Sequence, residues 1–508
     1  MISVLRLRDN RFDKNGLRFE RQNEGQDYGS ERSDELAAQT LSESQRKLLE
    51  QYGGKTIVEL SAIANGAVLD LSGSHLEKYV VEEKSPCFFD YHKDGENGFR
   101  LDTGNLMGVL CFRNRKCGES LQVEILSRFD KDLNNHFLNY LLSKVLDVAV
   151  GCEPVAAKRS SMLDILLDVL FVQRLGEAAT SGLLRHYRTI RNNDWNFKGR
   201  LDLPRHLREN VPMPQGVAYV KREISIDVPV NRLLLHAALV VQRDRPGLFD
   251  RNEGARDALM TMRAGIAEAG DLRSVLAHRD CREPIVHPFF RETWEPLRQI
   301  ARMILEEERW QLFQESAEDE VSGVVFDGAW LWESYLATVL EKVGYGHCVY
   351  GEESGGKFES LWNVDTQRGN ATMYPDFACK GAGKYVALAD AKYKSFLKRE
   401  DRLQMIAYAF VYEPKVTFVI YPPKDVKCDI GNDDEPDATV GEERTSKRGW
   451  FNIRKVSSNK PNKVSDQYLR TISFGEVKTE GEWNGFVQAM ERKEEELMEI
   501  LKQSMPPD

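Results

Sequence analysis

The sequence predicts a multidomain α+β/α/β chain: a β-rich N-terminal domain, a helical middle region and a C-terminal α/β core. Three observations carry this expectation. At 508 residues the chain exceeds what one hydrophobic core organises, so two to four domains are expected. Short apolar runs separated by turns crowd residues 55–127, whereas apolar residues from 134 to about 314 recur at helical spacing. Beyond residue 320, helix-like and strand-like segments alternate, as they do in a layered α/β unit.

Residues 1–50 are polar and charge-rich. They read as an N-terminal extension without enough apolar periodicity to build a core. Residues 51–130 form the expected β-rich domain, with strands at Thr56–Leu60, Ala67–Leu71, Leu106–Leu110 and Leu121–Leu126. Residues 131–315 are expected to be mainly helical, notably around Phe137–Leu142 and Met162–Leu170. The last unit spans 316–508, with a polar insertion at about 425–465, a strand restored from about 466, and a charged helix from about Glu482 to Gln503.

The richest segment of that last unit is Tyr374-Pro375-Asp376, followed fourteen residues later by Asp390-Ala391-Lys392. Between them Phe377–Cys379 and Tyr385–Ala389 read as two strands, with Gly381-Ala382-Gly383 as the bend. The hairpin would bring one carboxylate from each strand together beside a lysine. Two carboxylates suit a hard cation such as Mg²⁺, with Mn²⁺ as a substitute, and the Ala391 carbonyl offers a further oxygen. A neighbouring lysine can orient the attacking water or stabilise charge on a phosphate. Metal-assisted hydrolysis of a phosphodiester needs these groups.

Flanking elements fit the same site. Trp330–Leu340 reads as a helix whose Leu331, Tyr335 and Val339 share one apolar stripe, with Glu333 beside it as a further candidate ligand. Asp401–Tyr408 reads as a second helix, with Gln404 and Tyr408 one turn apart. Val416–Tyr421 follows as a buried strand ended by Pro422-Pro423. Each residue also admits a structural role. Asp376 can be a turn residue, and Lys392 can belong to the solvent face of an edge strand. Glu333 can be a solvated helix carboxylate, and Gln404 and Tyr408 can be ordinary helix surface.

Composition excludes some classes. The net charge is −10, so the whole surface does not grip nucleic acid. Local basic segments exist at 185–208 and 392–402, suited either to phosphate or to solvent. No apolar run approaches the roughly eighteen residues of a membrane span, and the N-terminus turns charged at Arg6 without a signal-like segment. The eight cysteines form no C-x-x-C, which argues against a zinc site. Reduced thiols and a cytoplasmic location are expected. Gly53-Gly54-Lys55-Thr56 ends like a phosphate-binding loop, but Leu49 stands where its first glycine belongs and a helix-like segment precedes it. The chain is therefore not expected to hydrolyse nucleotide itself.

The P-D…D-x-K pattern, with its flanking Glu and Q-x-x-x-Y helices, resembles the PD-(D/E)xK restriction-endonuclease-like superfamily. Gly182–Tyr187, the string Gly199-Arg200-Leu201-Asp202-Leu203-Pro204-Arg205, and Val228–Leu234 with its Asn231-Arg232-Leu233-Leu234 resemble the McrC family. These are the nuclease subunits of McrBC-type 5-methylcytosine-dependent restriction systems. The resemblance covers roughly residues 100–425. It implies a Mg²⁺-dependent endonuclease acting on double-stranded, methylated DNA. It also implies a McrB-like AAA+ GTPase hexamer as partner, engaged and stimulated through the N-terminal region, and pairing of two nuclease protomers for a double-strand break. Carried over by motif, Asp376 and Asp390 are the metal-binding carboxylates, Lys392 the catalytic lysine and Glu333 a further ligand. Arg200, Asp202, Arg205 and Asn231 carry no chemistry derivable from the residues. Two other readings stay open: an activator or assembly module for an AAA+ motor, with cleavage secondary or lost, and a nuclease of the same fold acting on RNA or branched DNA.

Overall fold

A computed structural model describes residues 3–11, 17–20, 41–61, 67–70, 86–94, 98–113, 120–130, 135–146, 162–213, 215–266, 268–285, 287–310, 320–348, 358–363, 368–381, 384–394, 399–422, 450–457, 460–474 and 483–502. Over them the chain is a mixed α/β protein with helices and several sheets. The centre of the first is a five-stranded sheet in the order Ser3–Arg8, Ser120–Leu126, Leu106–Arg113, Glu320–Asp327, Ala67–Asp70. The two outer pairings are parallel and the inner ones antiparallel.

Ser3–Arg8 overturns part of the expectation for residues 1–50. Its Leu5 and Leu7 alternate with arginines, and both leucines are buried against the sheet. This period-two signal is only two apolar residues long, and the charged stretch around it hides it. Glu43–Tyr52 is likewise an ordered helix with a Ser42/Gln45 capping box, its Leu48, Leu49 and Tyr52 turned into the core. Most of residues 12–40 lie outside the described residues.

The Thr56–Leu60 run is not the expected strand; Ile57–Ser61 is a short helix. Thr56 and Glu59 decide it: the Thr56 N–H donates to Glu59 Oε2 at 2.8 Å, and the Glu59 N–H donates to Thr56 Oγ1 at 3.2 Å. That reciprocal box over T-x-x-E starts a helix whatever the β propensity of Ile57 and Val58. A helix, not a strand, leads into Gly53-Gly54-Lys55, so the phosphate-loop resemblance has no structural context.

The middle region is built on Met162–Thr180, Pro229–Asp244, Glu253–Gly265 and Pro288–Trp310. It is not uniformly helical. A three-stranded antiparallel sheet, His186–Asp194, Val217–Ser225 and Arg200–Leu201, stands out from the helices with half of its residues exposed and only Ala218 and Tyr219 buried. The arginines of these strands obscure alternation, and no face is buried enough to reveal it.

The last unit carries a six-stranded sheet in the order Gly346–His347, Phe377–Gly381, Lys384–Ala391, Val416–Tyr421, Lys460–Ser473, Trp450–Ser457. The first hairpin is the expected one, although residues 382–383 of its turn lie outside the described residues. Lys384–Ala391 and Val416–Tyr421 are parallel, so the chain must cross over between them, and helix Arg399–Tyr412 is that crossover. Helix Gly328–Leu340 starts at Asp327, whose carboxylate accepts the Ala329 N–H at 2.7 Å. It buries Leu331, Trp332, Tyr335, Leu336 and Val339, and Trp332 donates its indole N–H to the Ile420 carbonyl at 3.2 Å. The expected polar insertion is shorter than 425–465: Trp450–Ser457 and Lys460–Ser473 pair as antiparallel strands. The alternating Phe451 and Ile453 were the signal. Residues 423–449 lie outside the described residues.

One buried apolar cluster runs from Leu5 through Leu110, Leu170, Leu234 and Trp332 to Leu501. The strand Glu320–Asp327 lies beyond the expected 315/316 division yet completes the N-terminal sheet. Among the described residues no helix is long and apolar enough to cross a membrane.

Candidate active site

Phe377 pairs with Ala389 across the hairpin, so continuing the register sets Asp376 opposite Asp390. Asp390 is fully buried, while Asp376 is only partly so. Asp376 Oδ2 accepts the Ala391 N–H at 2.7 Å, which ties the two strand ends together. The Lys392 ammonium sits 2.6 Å from Asp390 Oδ2. Among the described residues neither Asp390 oxygen has a donor besides this ammonium.

Burial pushes Asp376 well above the ordinary carboxylate range, and the charges of Asp390 and Glu333 push it further. Asp390 is also raised by burial, against the pull of Lys392. Burial alone would lower Lys392, but Asp390 and Asp376 outweigh it and hold the lysine above its usual value. Lys392 is therefore an ammonium at neutral pH. It can orient a water or neutralise a phosphate oxygen; it is not a free base.

The Q-x-x-x-Y helix reaches this lysine. Lys392 donates to Gln404 Oε1 at 3.1 Å, Gln404 Nε2 donates to the Tyr408 hydroxyl at 2.7 Å, and that hydroxyl donates to the Tyr374 carbonyl at 2.5 Å. The relay runs from the lysine back to the residue two before Asp376. Gln404 and Tyr408 thus position both halves of the hairpin.

Glu333 sits close enough for its charge to raise both aspartates, but its carboxylate is engaged by His347, whose Nε2 lies 2.9 Å from Glu333 Oε1. His347 stacks on Phe377, with ring centroids 5.2 Å apart. No sequence spacing marked His347; it arrives through the two-residue edge strand beside Phe377–Gly381. Lys394 pairs with the buried Asp401 at 2.7 Å and so belongs to the base of the crossover helix.

Among the described residues no three His, Cys, Asp or Glu side chains converge tightly enough to hold a metal by themselves. The donor set suits a hard cation nonetheless. Two carboxylates repel across the hairpin, the two buried oxygens of Asp390 have no donor among the described residues besides Lys392, and Mg²⁺ commonly keeps waters in its remaining positions.

The McrC-like strings are structural where their contacts can be read. Asp202 caps helix Leu203–Glu209. Arg205 donates to the Asn192 and Tyr219 carbonyls at 2.5 and 3.0 Å, pinning that helix under the hairpin. Asn231 is buried and donates to the Leu184 and Ile226 carbonyls at 2.8 and 2.7 Å, tying together the two chain segments at the end of the protruding sheet where His186 pairs with Ser225. Arg200 is exposed.

Fold and site together define a multi-sheet α/β protein carrying a buried carboxylate pair and a lysine on one hairpin. The family model described as McrBC 5-methylcytosine restriction system component matches residues 101–422. The chain belongs to that family, with the motif resemblance placing it on the McrC side. None of the curated proteins matches the chain. Two solved structures from Thermococcus gammatolerans are similar to it. The refined half-complex from a tetradecameric assembly of McrB AAA+ hexamers with bound McrC is 14% identical, over 83% of this chain and 89% of that one, with a TM-score of 0.38. The cryo-EM structure of the McrBC complex is 13% identical, over 67% and 88%, with a TM-score of 0.30.

Proposed function

We propose that the chain is the Mg²⁺-dependent endodeoxyribonuclease subunit of a McrBC-type restriction system, its last sheet a PD-(D/E)xK core. The observation that carries this is the Asp376–Asp390–Lys392 constellation, in which a fully buried carboxylate, met among the described residues by the lysine alone, faces a second carboxylate. Asp376, Asp390 and the Ala391 carbonyl would hold the metal, with Glu333 as a further ligand once released from His347. Mg²⁺ or Mn²⁺ bound there supplies an acidified water and charge neutralisation at the phosphate. Lys392 holds its positive charge toward the scissile phosphate, and Gln404 and Tyr408 keep it there.

The substrate on this reading is double-stranded methylated DNA in the cytoplasm. A McrB-like AAA+ GTPase hexamer recognises and moves it, and two nuclease protomers pair to cut both strands. The protruding sheet is the surface offered to the partner. Its paired strands expose Tyr187 and Ile224 at one end, at 69% and 59%, and its connections expose Trp195 and Met213 at 70% and 78%, large side chains of the kind a partner surface anchors on. The same observation sustains the second reading, in which stimulation of the motor is the main role.

The test combines the wild type or Asp390→Ala with methylated and unmethylated plasmid, Mg²⁺, GTP and the AAA+ protein encoded beside it. Cutting of methylated plasmid by the wild type alone is the expected result. Asp390→Ala should lose at least about a thousandfold in rate, since such a metal site supplies several kcal/mol. It should still stimulate GTP hydrolysis. Cutting that survives in this variant removes the site assignment, and stimulation without any cutting by the wild type favours the activator.

A further inference from the structure

The chain leaves the catalytic hairpin abruptly. Lys392 N–H donates to the Ile420 carbonyl at 3.0 Å and Lys394 N–H donates back to the Lys392 carbonyl at 2.9 Å, so Tyr393 is the tip of a tight reversal. That tip is held from the N-terminal sheet. The Tyr393 ring is buried edge-on against Phe129, 4.8 Å between centroids, and its hydroxyl lies 2.8 Å from Ser127 Oγ. A Cβ at Gly328 would meet Tyr393 Cε1 at 2.7 Å, so the start of the Gly328–Leu340 helix closes over the ring as well.

Among the described residues, Arg128 makes the side-chain contact that fixes the Tyr393 backbone rather than its ring. Its guanidinium lies 4.7 Å from the Tyr393 ring centroid and donates to the Tyr393 carbonyl. Arg128 is itself anchored: the buried Asp9 accepts its main-chain N–H at 2.6 Å and lies 3.5 Å from its guanidinium. Its Nε and Nη1 have no hydrogen-bond acceptor among the described residues. A largely buried arginine held by one carboxylate is an expensive way to glue two sheets, because apolar packing of the same volume serves as well or better. A donor aimed at the carbonyl next to Lys392 does what apolar packing cannot.

We propose that Arg128, anchored by Asp9, is a positioning residue for Lys392: the N-terminal sheet sets the direction of the active-site lysine through the Tyr393 carbonyl. This rests on the assignment of Lys392 above. It makes the strand Ser3–Arg8, which Asp9 follows, part of the nuclease machinery although it lies nearly four hundred residues away in sequence.

Hydrogen exchange of the full-length protein tests the mechanical half without needing any activity. In Arg128→Met, exchange over 392–394 should rise about tenfold while Val416–Tyr421 stays at the wild-type rate. Arg128→Lys, which keeps a charge facing Asp9 but not the planar donor, should show the same local rise and covers the case in which the methionine variant fails to fold. Unchanged exchange at 392–394, or a uniform rise across both segments, overturns the proposal. With partner, GTP and methylated plasmid, both variants should cut about tenfold more slowly at saturating DNA, with the KM for DNA and the stimulated GTPase rate unchanged. Loss of KM or GTPase instead marks a general structural role and also overturns it. If the wild type itself does not cut, the nuclease reading fails, and the exchange result still decides whether Arg128 holds the segment.

Discussion

Asp376 bears the clearest mark of a residue kept against the interests of stability. Its carboxyl is raised by burial and by Asp390 and Glu333, so ionising it costs the folded state free energy. A carboxyl raised on folding favours the fold least at high pH, because the unfolded chain gives up its proton first. Asp376→Asn keeps an acceptor for the Ala391 N–H and removes the charge. Without metal, its melting temperature should match the wild type near pH 4 and exceed it at pH 8. Mg²⁺ should raise the wild type and leave the variant unmoved. Thermal scans at the two pH values settle it: a variant less stable at pH 8 would show that the repulsion is not felt. The two aspartates and the lysine were legible in the sequence because a hairpin register of period two fixes which residues face each other. His347 was not legible, since its approach to Glu333 depends on an edge strand only two residues long. The sequence placed Gln404 and Tyr408 on one helix face, but only the relay Lys392–Gln404–Tyr408–Tyr374 says what that face does.

Among the elements, the strands Leu106–Arg113 and Glu320–Asp327 depend on two glycines set diagonally across the pair, Gly108 opposite Val325 and Gly323 opposite Leu110. Gly108 has φ +132° and Gly323 φ +153°. A Cβ on Gly108 would lie 2.1 Å from the Val324 carbonyl oxygen, and one on Gly323 would lie 2.0 Å from that of Val109. Backbone cannot yield as a flexible side chain does, so Gly323→Ala should cost roughly 3 kcal/mol or more. Gly182 has φ +83° with nothing near its Cβ position. Gly182→Ala should therefore cost only about 1 kcal/mol, the left-handed penalty alone. Urea midpoints of the two variants separate steric clash from dihedral strain; equal losses would mean that the sheet relaxes around residue 323. The same strand holds the lesson about legibility at this scale. Val324-Val325-Phe326 is plainly apolar, but its partner Leu106–Arg113 is about two hundred residues earlier, and no local pattern names a partner at that distance. Helices with caps or strong stripes were readable locally. The protruding sheet was not, because its faces are both wet.

For the whole molecule, the larger apolar cluster, which runs from Leu5 to Leu501, and the shared strand Glu320–Asp327 change how the functional readings are separated. Removing residues 1–130 strips four strands from the five-stranded sheet that Glu320–Asp327 completes, and with them Ser127, Arg128 and Phe129 from Tyr393. Such a chain should be insoluble or molten, and its inactivity would not discriminate a nuclease from an activator. Substitution on the protruding sheet does. Tyr187 and Ile224 are cross-strand partners, 69% and 59% exposed, so they contribute to one solvent-facing apolar pair. Replacing both with serine should change stability by no more than about 1 kcal/mol, as exposed substitutions do. It should nonetheless weaken stimulation of the AAA+ partner about tenfold or more, because exposed aromatic anchors carry much of an interface's affinity. Partner-dependent cutting should fall in parallel, since the catalytic hairpin is untouched. A double variant that melts as the wild type and stimulates as the wild type would move the partner surface elsewhere on the molecule. One that loses stimulation while still cutting would show that the nuclease does not wait on the motor.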